Sequence, residues 1–67
     1  MTEKGSTKKA ILETALNLFS VQGFEATSVS QIADEVGISK ASMYSHFKSK
    51  QEILDELVRE SLEKYNE

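Results

Sequence analysis

Hydrophobic positions along this 67-residue chain recur at helical spacing. From Thr7 to Gln22, the residues Ile11, Leu12, Ala15, Leu16 and Phe19 fall on one face of a helix, and Gly23 ends it. A glycine just past a helix can take the left-handed conformation, which lets Phe24 pack back onto Phe19 or Leu18. A second helix is expected to start at Thr27 or Ser28. With Ser28 as N-cap, Gln31 stands three residues on, as in a capping box, and Val29, Ile32, Ala33 and Val36 form the apolar face. Gly37 stops this helix. The Ser39 hydroxyl then caps a short third helix, roughly Lys40 to His46 or Phe47, with Met43 and Phe47 pointing inward. Ser49 and Glu52 make another capping box and open a fourth helix. Its stripe of Ile53, Leu54, Leu57, Val58, Ser61, Leu62 and Tyr65 runs to the end of the chain with no stop signal. Such a stripe is expected of a chain cut from something longer, because Leu62 and Tyr65 have no evident partner in so small a core.

The pattern is all-α, and composition narrows what holds it together. A chain this short buries only about 60% of the surface its unfolded form exposes. With no Cys there is neither a disulfide nor a thiolate metal cluster to supplement the core, so stability rests on packed helices. Zero Pro and three Gly leave little turn material for a small β-barrel. The longest apolar run, Ala10 to Leu12, is far short of the roughly 20 residues that span a bilayer. A soluble, cytoplasmic protein is therefore expected, without contact to a membrane.

Eight basic and eleven acidic residues give a net charge of −3, but the charges are segregated. No acid occurs from Val36 to Gln51, where Lys40, Lys48, Lys50 and the sole histidine, His46, all lie. Acids then crowd the fourth helix. The acid-free stretch takes in the second half of a run from Val29 to Phe47 that reads as a helix, a tight turn at Gly37 and a second helix. Where two helices cross closely, the first needs a small residue and the turn a residue tolerant of positive φ; Ala33 and Gly37 supply them. Core duty falls to Ile32, Val36, Ile38 and Met43, which leaves Lys40, Ala41, Ser42, Tyr44, Ser45 and His46 on an outer face. Small, hydroxylated, basic and aromatic side chains suit a surface that meets phosphates and base edges. The plain alternative is a solvated face. Catalysis finds no support: one His without Cys supplies neither a metal cluster nor a nucleophile–base pair, and the glycines are too scattered for a phosphate loop. No cofactor or metal is called for.

The run Thr27-Ser28-Val29-Ser30-Gln31-Ile32-Ala33-Asp34-Glu35-Val36-Gly37-Ile38-Ser39-Lys40-Ala41-Ser42-Met43-Tyr44-Ser45-His46-Phe47-Lys48-Ser49-Lys50 resembles the N-terminal DNA-binding region of TetR-type (TetR/AcrR) transcriptional repressors. Upstream, Leu18-Phe19 and Gly23-Phe24 resemble the end of that family's first helix, so the likeness covers nearly the whole chain. It implies a three-helix, homeodomain-like helix-turn-helix domain over residues 1–50, followed by the start of a fourth helix over 51–67. It also implies a C-terminal domain outside this chain that forms a homodimer and binds a small-molecule inducer. The third helix would enter the major groove of operator DNA. Base-edge or nearby backbone roles carry over to Ser30, Lys40, Ala41, Ser42, Tyr44, Ser45 and His46. Phosphate contacts carry over to Thr27 or Ser28 and to Lys50. Ala41-Ser42 stand where the family often has Gly-Thr, and Ser45 replaces the second aromatic of a usual Tyr-Tyr-His-Phe. Lys8 and Lys9 lie in the first turn of helix one, where the macrodipole disfavours cations, which leaves DNA-backbone contact, together with Lys4, and solubility as open readings. The rival function is a small helical protein-interaction module, supported by the acidic total and by Val58, Leu62 and Tyr65.

Overall fold

Serines open three of the helices and glycines close two of them. The computed structural model describes residues 6–65, and side chains for residues 7–60. Its elements are α1 (Ser6–Gln22), α2 (Val29–Val36), α3 (Lys40–His46) and α4 (Lys50–Tyr65), with no strand among the described residues. At the start of α2 the Ser28 Oγ accepts from the Gln31 N–H at 3.0 Å, and at the start of α3 the Ser39 Oγ accepts from the Ser42 N–H at 3.1 Å. These bonds satisfy backbone donors that the first turn leaves without partners. The third cap is looser. Ser49 Oγ accepts from Glu52 N–H at 3.4 Å, while the Glu52 carboxylate reaches back past Ser49 to the Lys48 N–H at 2.9 Å.

The capping box expected at α2 is half formed. Gln31 does not return a bond to Ser28; its side-chain oxygen accepts from Gln22 Nε2 at 2.8 Å, tying the start of α2 to the end of α1. Gly23 and Gly37 both adopt the left-handed region, with φ of 94° and 91°. Gly23 N–H donates to the Phe19 carbonyl at 3.0 Å, and the Phe24 ring folds back to 5.1 Å from that of Phe19. At the second turn Gly37 and Ile38 both donate to the Ala33 carbonyl, at 2.8 and 3.0 Å. The six-to-one bond from Ile38 is the Schellman closure, and it sends the chain straight into α3.

α2 has eight residues and α3 seven, both below the 12 to 15 at which an isolated helix becomes even marginal in water. Packing makes them helical. Ile11 and Ala15 of α1, Ile32 of α2, Met43 of α3 and Ile53 of α4 have no exposed surface, and Leu12, Ala33 and Phe47 are buried beside them. Each large apolar side chain buried there contributes about 1.5 to 3 kcal/mol. α1 packs on α2 and α4, and α2 packs on α3. Leu16, expected in the inward stripe of α1, is instead 53% exposed, because it lies a quarter turn beyond the line of Ile11, Ala15 and Phe19. Val58 of α4 is 50% exposed. The side chains of Leu62 and Tyr65, and all of Lys4, lie outside the described residues.

A Cβ built on Gly37 meets nothing within 4 Å, so the demand for glycine there is conformational and not steric. Gly37→Val is expected to destabilise the domain by about 1 to 3 kcal/mol, whereas Gly37→Asn, whose side chain tolerates positive φ, loses much less. Thermal melting by circular dichroism checks this; equal melting temperatures for the two variants contradict it.

Candidate nucleic-acid interface

α3 shows two unlike sides. Met43 is fully buried and Phe47, its C-cap, nearly so, while Lys40, Ala41, Tyr44, Ser45 and His46 are exposed and Ser42 is half-buried. Tyr44 is 46% exposed, a large aromatic residue outside the buried core. Two hydroxyls on this face differ in what they can offer. Ser45 Oγ donates its proton to the Ser42 carbonyl at 2.7 Å, so towards a ligand it acts as an acceptor. Among the described residues no hydrogen bond engages the Ser42 hydroxyl, which is free to donate and to accept.

At the start of α2, its N-cap Ser28 is exposed and Ser30 is half-buried. Thr27, expected with Ser28 at a phosphate, is turned into the α1–α2 turn. It is 1% exposed, donates from Oγ1 to the Gly23 carbonyl at 2.8 Å and accepts from Gln22 Nε2 at 3.2 Å. Its hydroxyl closes the turn between α1 and α2, and of the pair Thr27 and Ser28 only Ser28 faces outward.

Lys50 also departs from expectation. Its ammonium is turned in towards the α1–α2 turn, donating to the carbonyls of Phe24 at 2.5 Å, Thr27 at 2.8 Å and Glu25 at 3.4 Å. It also sits over the Phe24 ring, 4.4 Å from the centroid. Three carbonyls take up its three donors. Lys8 is drawn to the opposite side, with Nζ 3.7 Å from a Glu56 carboxylate oxygen and 5.9 Å from the Phe47 ring centre. An ion pair this exposed adds little stability. Lys9 is exposed.

His46 stands at the edge of the α3 face. It lines a shallow cleft with Lys8, Glu52, Asp55, Glu56 and Arg59, so the fold brings it near acids that are remote in sequence. Among the described residues no group of three or more His, Cys, Asp or Glu side chains could hold a metal ion. The outward surface of α3 carries Lys40 and the hydroxyls of Ser42, Tyr44 and Ser45, and it meets acids of α4 at its His46 end. The Gln22–Gln31–Thr27 contacts were not foreseeable, since their directions depend on how the two helices meet across the turn.

Two short helices joined at a left-handed glycine, the second presenting an acid-free face, define a helix-turn-helix DNA-binding fold. Residues 11–57 match the family described as bacterial regulatory proteins, tetR family, and the chain belongs to that family. It is 48% identical over 54 residues to an uncharacterized HTH-type transcriptional regulator, YerO, of Bacillus subtilis (strain 168), covering 81% of this chain and 18% of that protein. With the HTH-type transcriptional repressor KstR2 of Mycolicibacterium smegmatis it shares 37% identity over 62 residues, 92% of this chain and 30% of the relative. A biofilm operon icaADBC HTH-type negative transcriptional regulator, IcaR, of Staphylococcus aureus (strain Newman) is 42% identical over 52 residues, 78% of the chain and 28% of that protein. The chain thus spans less than a third of the length of each of these relatives.

Thr27→Val keeps the β-branched shape and deletes both hydroxyl contacts. It is expected to cost roughly 1 to 3 kcal/mol, as a buried hydrogen-bonding group left without partners does. Urea denaturation measures it, and an unchanged midpoint removes the structural role assigned to the hydroxyl.

Proposed function

We propose that this chain is the DNA-binding head of a TetR-type transcriptional regulator, acting as a repressor in the cytoplasm. The observation that carries the reading is the acid-free outer face of α3 on a helix-turn-helix frame in a chain that is acidic overall. In this reading α3 enters the major groove of double-stranded operator DNA. Lys40, Ala41, Ser42, Tyr44 and Ser45 meet base edges and the adjoining backbone, with His46 at the margin. Ser28 and Ser30 approach a neighbouring phosphate from the start of α2. Repression is favoured by KstR2 and IcaR, a repressor and a negative regulator by name. Dimerisation and binding of a small-molecule inducer belong to further sequence, of the kind that makes up most of each relative's length. The role is regulatory, with no catalytic step.

A lone head lacks the avidity of two heads set about 34 to 36 Å apart. The chain by itself is therefore expected to bind duplex DNA weakly, with little sequence preference and with affinity that falls steeply as salt rises. Lys40→Ala should lower affinity for a random duplex and flatten the salt slope by about one unit, while Ser42→Ala leaves that slope unchanged. Fluorescence anisotropy over a salt series makes the measurement. Absence of binding at low salt would instead favour a protein-interaction module built on the exposed Leu16 and Val58.

A further inference from the structure

We infer that Lys50 is a positioning residue for DNA binding: its ammonium, held by the carbonyls of Phe24, Glu25 and Thr27, fixes the α1–α2 turn and through it the first turn of α2. The inference rests on the DNA-binding reading for its functional half and on geometry for its structural half. Three carbonyl oxygens that converge on one point repel one another, and without a cation the turn would open to let water separate them. The Lys50 ammonium lies 2.5 Å from the Phe24 oxygen, 2.8 Å from that of Thr27, 3.4 Å from that of Glu25 and 4.4 Å from the Phe24 ring centre. Charge-assisted hydrogen bonds and a cation over an aromatic face act here on the same group.

What the clamp holds is the part of the molecule that leads into the candidate interface. The Phe24 carbonyl also accepts from Thr27 N–H at 3.2 Å, and the residue after Thr27 is the Ser28 N-cap. Lys50 is the first residue of α4, so one side chain joins the start of α4 to the turn that precedes α2. The chain separation is 23 to 26 residues, which makes this a long-range tie and not a local cap. An ammonium so engaged has no donor to spare for a phosphate. Lysine suits the place for a reason arginine does not share. A compact ammonium directs three donors to a small carbonyl cluster, whereas a guanidinium spreads five in a plane.

The test compares Lys50→Met and Lys50→Arg with the unsubstituted chain, after circular dichroism has shown native helicity. In the free chain, amide hydrogen exchange at Thr27, Gln31 and Ile32 is expected to rise roughly tenfold or more in Lys50→Met, as loss of a charge-assisted hydrogen bond implies, with Met43 and Phe47 unchanged. Both variants should bind a random duplex more weakly by similar factors and keep the unsubstituted salt slope. Unchanged exchange at Thr27 overturns the inference, and so does unchanged DNA affinity in both variants. It is overturned equally if Lys50→Arg binds like the original while Lys50→Met flattens the slope by about one unit, the signature of a phosphate contact. Should Lys50→Met fail to fold, the unsubstituted chain answers: its Lys50 ¹⁵Nζ signal is expected to stay in place when duplex DNA is added, and a shift on binding overturns the inference. If the unsubstituted chain binds no DNA, the DNA-binding reading falls, and the exchange data still decide whether the clamp exists.

Discussion

The Ala33 carbonyl accepts two hydrogen bonds, from Gly37 and from Ile38, and the direction of the whole outward face follows from that closure. It requires the left-handed conformation that Gly37 takes, with φ of 91°, and Ala33 itself is buried in the core. α3 is too short to be helical unaided, so its helicity, its capping by Ser39 and the burial of Met43 all depend on being delivered to the core at this angle. Neither end of the arrangement is independent. The apolar core holds α3 because the turn aims it, and the turn is kept because Met43 and Phe47 have somewhere to go.

The other junction is built from different material. Between α1 and α2 the contacts are mainly polar: Gln22 reaches Ala26, Thr27 and Gln31, Thr27 closes on Gly23, and Lys50 gathers three carbonyls. The Phe19–Phe24 ring pair adds an apolar contact at the turn. Polar groups impose direction where apolar contacts impose proximity, and a segment that must set the start of a helix needs direction. The two junctions thus divide the labour, one by steric closure and the other by hydrogen bonds.

Helix limits were legible in the sequence because they depend on local chemistry: Ser28 and Ser39 as caps, Gly23 and Gly37 as stops, each acting within five residues of itself. The core was nearly as legible, apart from Leu16, where helical spacing alone does not say how wide the covered stripe is. Side chains that reach across the fold were not legible. Thr27 and Lys50 both read as surface groups beside a helix start, and both turn inward, because the carbonyls they satisfy are exposed only once the α1–α2 turn has formed. His46 read as remote from any acid until α4 was laid alongside it. Periodicity and capping speak about neighbours in the chain, and these residues act on neighbours in space.

The segregation of charge between α3 and α4 has a consequence for how the molecule would arrive at a polyanion. With a net charge of −3 the chain as a whole repels a polyanion at long range, yet α3 contributes Lys40 and no acid while Glu52, Asp55, Glu56 and Glu60 lie on α4. At physiological salt the field decays over about 8 Å, so the repulsion is felt late and the torque is felt with it. An approach with the α4 acids leading is the less favourable one. In the DNA-binding reading proposed above, the acids of α4 serve as a rudder that favours encounters beginning with α3 forward.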